Sequence, residues 1–326
     1  MDDHQEQYDR RVADYWDRNT DATYQGQTYW LANPLVAARF NRRAVGGRDY
    51  DSWVNFCVRH YLGDKPVERI LTIGCGDGAL DRHLASLNAA RVIDGIDIAP
   101  NRIEIAREEA RRAGMEKVLR YTVCNAETTD FPATGYDAIF FNMSLHHMAQ
   151  LEPLLIRCRD SLKPRGFVFV NEYIGPNRFA FSDREKQAMQ ELFRMIPEKY
   201  RVSQDEHDRG QVRQEPGFPD PAEVARVDPS EAIRSADIVP VLKAVFEIRE
   251  FNDAGGSLQQ FLLHGIAGNF HPGDPDSVKA LELVFQTEDA LVQRGEIPPH
   301  FALIVARHRS LMTRIRGRLA RLVAGH

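Results

Sequence analysis

Gly74, Gly76 and Gly78 alternate with Cys75 and Asp77 in a short segment that follows the apolar run Leu71-Thr72-Ile73 and leads into a helical pattern. Glycine accepts positive backbone angles and lets the main chain approach a ligand closely, so this spacing suits a loop that cradles a small molecule. Asp97 ends the next apolar run, where a carboxylate can accept hydrogen bonds from ribose hydroxyls. His146 and His147 follow a later apolar run, and Glu172 with Tyr173 closes the one after it. A neutral imidazole is matched to proton transfer near neutral pH. A carboxylate on the same rim could bind a hydroxyl or amine, accept its proton, or orient a histidine. Each group also has a plainer use: the glycines as a tight turn, the histidines as packing at a helix start, Glu172 as a brace for a loop.

These residues need a scaffold, and the pattern supplies one. Residues 69 to 172 alternate short apolar runs with helical stretches, the signature of parallel strands joined by crossover helices. Strands are expected at Arg69–Ile73, Val92–Asp97, Val118–Cys124, Tyr136–Asn142 and Gly166–Glu172. Leu80, Leu84 and Leu87 share a helix face, as do Ile103, Ala106, Ala110 and Ala113, and then Leu151, Leu154, Leu155 and Leu162. Right-handed crossovers give a doubly wound sheet with its ligands at the carboxyl ends of the strands. The chain is expected to rejoin the sheet at Val245–Phe251, form helices over 256–270 and 275–294, and end with a strand at Phe301–Ala306. The full expectation is an α/β fold with a mostly parallel seven-stranded sheet, an N-terminal helical region and a helical cap inserted between strands five and six. In boundaries, 1–65 is a helical lid, 66–174 the first part of the core, 175–244 the cap, 245–307 the rest of the core and 308–326 a basic tail.

The glycine loop alone does not choose its ligand. With Ala79 in place of a final glycine it also satisfies the dinucleotide fingerprint, so NAD remains open at that point. Charge favours another answer. Asp77 and Asp97 surround the loop with negative charge, which suits a cationic ligand better than a pyrophosphate that wants a helix N-terminus free of acids. Asn125-Ala126-Glu127 follows the third strand, Leu145-His146-His147 the fourth, and Leu162-Lys163-Pro164-Arg165-Gly166 precedes the fifth. In this order the segments resemble class I S-adenosylmethionine-dependent methyltransferases, particularly small-molecule enzymes with an LHH after strand four and an LKPGG turn before strand five. The resemblance spans about 68–172, with Arg165 the one departure in the turn. Outside it, Asn171-Glu172-Tyr173-Ile174-Gly175-Pro176-Asn177-Arg178-Phe179 looks like a subgroup associated with bacterial glycan or secondary-metabolite pathways.

The resemblance implies S-adenosyl-L-methionine as cofactor, with Gly74, Cys75, Gly76, Asp77, Asp97, Ile98, Asn125, Ala126, Glu127 and Asn142 around it. His146, His147, Glu172 and Tyr173 are the catalytic candidates, His146 ahead of His147 as base. The implied reaction is in-line transfer of a methyl group to a small-molecule or glycan acceptor, at oxygen, in a biosynthetic role. Positioning can contribute roughly 7–11 kcal/mol to such a reaction, whereas a general base adds only roughly 10²–10⁴ in rate. Holding two substrates is therefore the main task. Tyr29 and Trp30 could close over a sulfonium, whose charge attracts aromatic faces, and His264 and Asn269 could reach the acceptor pocket. The alternatives are a noncatalytic S-adenosylmethionine-binding regulator and, less favoured, an NAD(P)-dependent oxidoreductase.

Composition excludes other classes. No run of about 18 apolar residues exists to span a bilayer, and the polar, acidic start Met1-Asp2-Asp3-His4 is unlike a secretory signal. Cys57, Cys75, Cys124 and Cys158 show neither CxxC pairs nor zinc spacing, so reduced thiols in the cytoplasm are expected. His207, His271, His300 and His308 have no ligand spacing with carboxylates, and no metal site is expected. A net charge of -5 gives no general reason to expect nucleic-acid binding. The end of the chain differs: from Ile297 onward there is no acid, and Leu311, Ile315, Leu319 and Leu322 recur at helical spacing among Arg314, Arg316, Arg318 and Arg321. Such a helix could lie on an anionic membrane at its inner face; the plainer alternative is a helix packed on its own domain, or a frayed tail.

Overall fold

The computed structural model describes residues 3–18 and 28–308. The arginine-rich segment with Arg314 to Arg321 lies outside the described residues, as does Tyr24. Seven strands form one sheet: β1 Val67–Ile73, β2 Ala90–Asp97, β3 Leu119–Val123, β4 Tyr136–Asn142, β5 Leu162–Tyr173, β6 Glu247–Gly255 and β7 Phe301–Arg307. Their order is β3-β2-β1-β4-β5-β7-β6. The first five run parallel, and β7 lies antiparallel between β5 and β6. The order reverses between β1 and β4, so the crevice beyond their carboxyl ends is where a doubly wound sheet receives a ligand.

Side chains alternate across this sheet because a strand has a period of two. Ala138 and Phe140 of β4 and Leu303 and Val305 of β7 enter one core; Ile139, Phe141, Ala302 and Ile304 enter the other. The helices preceding and following each strand cover both faces. α1 Asp3–Arg18 packs against α4 Pro100–Arg112; on the first face lie α2 Pro34–Ala44, α3 Ala79–Ser86 and α4, with Val36, Phe40, Leu84, Ile103 and Ala106 carrying their burial. On the second face α5 Leu151–Ser161 buries Leu151, Leu154, Leu155 and Cys158 completely. The segment between β5 and β6 contains α6 Asp183–Met195, opened by a Ser182–Glu185 capping box, then α7 Pro221–Val227 and α8 Ile238–Val245. The helix α9 Pro275–Gln293 precedes β7.

Three expectations change. Val245 ends α8, so β6 starts two residues later and runs on to Gly255. The segment 256–270 is not one helix. Gly255 and Gly256, both with φ above +80°, break the chain direction, and only the helical turns Gln259–Leu262 and Ala267–Asn269 form. Finally, Lys163-Pro164-Arg165-Gly166 is a bulge inside β5 and not a turn before it: Tyr136 pairs with Leu162, and the next pair is Ala138 with Phe167. Lys163 Nζ anchors it, 2.8 Å from both Asp137 oxygens.

Candidate active site

The glycine loop leaves β1 and turns over the end of β4. Gly74 has φ +68°, and a Cβ there would stand 2.5 Å from Ser144 Cβ, so the loop closes only on glycine. Ser144 seals the contact by donating from Oγ to Ile73 O at 2.7 Å. Gly76, by contrast, faces open space, the cradle a ligand would fill. Its amide donates to Asp97 Oδ2 at 2.9 Å, and Asp97 Oδ1 accepts from Ala99 N at 2.9 Å. Burial raises the Asp97 carboxyl, and these two main-chain bonds pull it back.

Two residues beyond Ser144, the histidines sit in a 3₁₀ turn, Leu145–His147. Glu172, fully buried at the end of β5, holds that turn. Its Oε2 accepts from Ser144 N at 2.9 Å and Leu145 N at 2.6 Å; its Oε1 accepts from Tyr173 N at 2.8 Å and from His146 Nδ1. His147 Nδ1 reaches Ser230 Oγ at 3.0 Å, and Ser230 in turn donates to Asp228 Oδ1 at 2.7 Å. With both Nδ1 atoms thus held, both Nε2 atoms point at one carboxylate: Glu231 lies 3.4 Å from His146 Nε2 and 4.0 Å from His147 Nε2. Burial alone would lower His146, but Glu172 and then Glu231 outweigh it and raise it to about 10, so this imidazole is charged at neutral pH. Burial, reinforced by the His146 charge, lowers His147 to about 3, leaving it neutral.

Glu231 comes from the long segment between β5 and β6, and Arg178 holds it there. The guanidinium donates to the carbonyls of Glu231 at 2.7 Å, Pro229 at 2.6 Å and Asp228 at 3.3 Å. Main-chain bonds from Arg178 N to Ala232 O and from Ile233 N to His146 O complete the clasp. Met143, Arg178, Phe179 and Ala232 all have positive φ without being glycine. Such strain persists where surrounding structure over-determines it, commonly at functional sites. From the other side α1 lays Tyr8, Val12 and Tyr15 along one face, with Trp16 edge-on to His147 at 4.9 Å. Tyr8 Oη donates to Pro229 O at 3.3 Å, and Asp9 accepts from Asn125 Nδ2 at 2.7 Å.

Together these walls enclose one cavity of about 730 Å³, running from the glycine loop to the histidine turn. That size is ample for a nucleoside-sized ligand beside a small second molecule. Asp9, Asp77, Asp97, Glu127, Asp228 and Glu231 line it, with Arg102 the sole guanidinium among the described lining residues. The field reaches the phenols: burial, then Asp228 and Glu231, pushes Tyr15 up to about 12.

Residues 71–170 match the family model described as a methyltransferase domain. This segment is a methyltransferase domain. The chain is 33% identical over 138 residues to aklanonic acid methyltransferase of Streptomyces sp. (strain C5), covering 41% of this chain and 62% of that one. It is 33% identical over 152 residues to the ubiquinone biosynthesis O-methyltransferase of Methylocella silvestris, covering 44% and 58%. The chain thus spans less than two thirds of the length of these relatives. In three dimensions it resembles geranyl diphosphate C-methyltransferase of Streptomyces coelicolor A3(2), with TM-score 0.51, 15% identity and 93% and 98% of the two chains covered. That likeness extends the common fold beyond the matched segment.

Within and around the methyltransferase domain, Gly74, Cys75, Gly76, Asp77, Asp97, Ile98, Asn125, Ala126, Glu127 and Asn142 all line the one cavity. Not all face it with free groups. Asp77 Oδ1 caps Ala79 N, and the Glu127 carboxylate accepts from Gln150 N. His146, His147 and Tyr173 line the cavity, but Tyr173 Oη is spent on Pro176 O and Glu172 stands behind His146 without reaching the lining. Of the uses open to Glu172, its placement favours that of orienting His146, since its carboxylate faces the histidine turn and not the cavity. His146, preferred as base from its position, is the charged member of the pair. Tyr29 lines the cavity, whereas Trp30 is buried against Phe40 and Phe301. His264 is exposed and Asn269 is tied to Tyr200 O and Val202 O, so neither reaches the pocket.

Spacing in the sequence hid three contributions. Glu231, Asp228 and Ser230 carry no local motif, α1 looks like any amphipathic helix, and Arg178 is recognisable only as part of the Asn171–Phe179 run. Nor did spacing reveal that donor atoms of His146, His147 and Glu231 gather within 4.8 Å of one another, as do those of Asp205, His207 and Asp208. The first group joins segments more than 80 positions apart, whereas the second comes from one short stretch of chain.

Proposed function

We propose that the chain is an S-adenosylmethionine-dependent methyltransferase acting on a small hydroxylated acceptor, with transfer to oxygen. The observation that carries this reading is the continuity of one acidic cavity from the Gly74–Gly76 cradle to the Nε2 edge of His146 and His147. Bound there, S-adenosylmethionine would supply a methyl group on a sulfonium, released with the electron pair staying on sulfur. The loop main chain at Gly74, Cys75 and Gly76 would hold the methionine half, Asp97 and Ile98 the ribose, and the Asn125–Glu127 turn the adenine. Carboxylates around the loop favour a positively charged ligand and disfavour a pyrophosphate, which argues against the NAD(P) alternative.

At the far end, the acceptor hydroxyl would meet Nε2 of His146 and His147 and the Glu231 carboxylate, and its proton would pass to this edge. Residues 1–65 and 175–244 act as lid and cap in this reading, since Tyr8, Tyr15 and Trp16 come from the first and Asp228 and Glu231 from the second. Aromatic walls of Tyr15, Tyr29, Phe179 and Phe261 would exclude water and select a flat, apolar acceptor body. The relatives named for aklanonic acid and for ubiquinone O-methylation support a small-molecule acceptor and oxygen. The test is incubation with S-adenosylmethionine and a panel of phenolic and quinol acceptors together with amine and carbon nucleophiles, read by mass spectrometry. One CH₂ gained per S-adenosylhomocysteine formed supports the reading. Cofactor bound tightly, but no acceptor methylated across hydroxyl, amine and carbon nucleophiles, would return the regulator alternative.

A further inference from the structure

We propose that His146, His147 and Glu231 form a binding site for one divalent transition-metal ion of the zinc type, with an open position facing the acceptor end of the cavity. Once the ion displaces the Nε2 proton of His146, the three side chains present two imidazole nitrogens and a carboxylate, the donor set of a site that keeps a position free for a substrate oxygen. Their spacing fits. Glu231 oxygens lie 3.4 Å and 4.0 Å from the two Nε2 atoms. All the donor atoms lie within 4.8 Å of one another; an ion with bonds of about 2.0–2.1 Å in tetrahedral geometry needs donors about 3.3 Å apart, so the His146–Glu231 pair already has that spacing and the His147 side closes by about 0.7 Å.

The surroundings are those of a ligand shell. A histidine that binds metal through Nε2 commonly donates its Nδ1 proton to a carboxylate or its relay, which fixes tautomer and ring direction. Both histidines do so here: His146 to Glu172, and His147 to Ser230 backed by Asp228. Asp228, 2% exposed, also keeps Oδ2 without a hydrogen-bond partner 3.7 Å from the His147 ring. A buried carboxylate oxygen left unpaired is costly unless positive charge is nearby. Arg178 clamps the Asp228–Glu231 main chain from outside and contributes no ligand atom to the trio, so it holds the loop without occupying the position.

The binding site needs no methyl transfer to exist; its use rests on the reading above. With the ion on the Nε2 and Glu231 atoms, that edge no longer takes the acceptor proton; a hydroxyl coordinated at the open position becomes more acidic, and its proton leaves to water before the new oxygen–carbon bond forms.

The test is calorimetric titration of the EDTA-stripped full chain with zinc chloride, repeated with cobalt(II) followed by visible absorption. One ion per chain is expected. Glu231→Gln should weaken binding by about tenfold or more, and Ser230→Ala, which leaves all three ligands in place, by about tenfold. His207→Ala is the control for the second trio and should change nothing. S-adenosylhomocysteine titrations in parallel should give the same affinity for Glu231→Gln as for the parent chain, which separates this proposal from the cofactor reading. Absence of saturable zinc binding overturns the proposal, as does binding that survives Glu231→Gln and Ser230→Ala or disappears with His207→Ala.

Discussion

Replacing Glu172 by glutamine changes one oxygen to an NH₂ without changing shape, and the structure makes that small change expensive. The carboxylate serves four donors: Ser144 N and Leu145 N on one oxygen, Tyr173 N and His146 Nδ1 on the other. In either orientation, an amide sets its own N–H groups against two of those donors. Two buried hydrogen bonds to a charged acceptor are lost, at ~1.5–3 kcal/mol each. Removing one partner of a buried charged pair costs ~3–5 kcal/mol, so a loss of about 4 kcal/mol is expected. With a shift of about 2–4 °C per kcal/mol, the melting temperature should fall by about 8–16 °C. Guanidinium unfolding of parent, Glu172→Gln, His146→Leu and the double variant measures it directly. The double variant should cost less than the sum of the singles by about 1–3 kcal/mol, because the two changes remove one shared interaction. A Glu172→Gln cost below about 1 kcal/mol, or strict additivity, would refute the role of Glu172 as the group that sets the histidine turn.

Asp81, fully buried beside the loop, is raised to about 7 by burial, with the Thr72 hydrogen bond and Arg82 opposing. Because its folded value exceeds its unfolded one, stability is full below about pH 4 and is lost as pH rises through about 7, by up to about 4 kcal/mol. Asp81→Asn should flatten the stability profile over that window and be the more stable form at pH 8, measured by urea unfolding; parallel profiles would contradict this. Gly74→Ala introduces a side chain at φ +68° against Ser144 and should cost about 2–4 kcal/mol in unfolding experiments while abolishing S-adenosylhomocysteine binding. Retention of parental affinity would show that the loop is not the cradle. Arg178→Met removes three hydrogen bonds to the 228–231 carbonyls and should speed limited proteolysis there while leaving cofactor affinity unchanged. Unchanged cleavage would mean the clasp is held by other contacts.

Much of this molecule is legible from short-range pattern. The central strands follow from runs whose alternate residues feed two cores, and Tyr136–Asn142 forms as read. The glycine loop and Asp97 are local features with a local cause, and they meet through one hydrogen bond. What pattern could not convey is partnership across distance. Nothing near Glu231 marks it as the neighbour of histidines 84 and 85 positions earlier; Arg178 and the Ile233–His146 bond bring it there. Glu172 was visible as a strand-end acid, but its direction, toward the turn and away from the cavity, depends on three amides that exist only once β4 and β5 pair. Segment 256–270 was misread for a related reason. Its apolar residues pack the core, yet glycines at positive φ divide it into turns.

The most direct measurement is a calorimetric comparison of S-adenosylhomocysteine and NADH binding to the full chain, alongside Asp97→Ala. Micromolar, one-to-one binding of S-adenosylhomocysteine and none of NADH is expected. Asp97→Ala should weaken it by about 10- to 100-fold, the worth of hydrogen bonds to a charged acceptor. Failure to bind S-adenosylhomocysteine or S-adenosylmethionine, or tighter binding of NADH, would contradict the assignment of the glycine loop and Asp97 as an S-adenosylmethionine site.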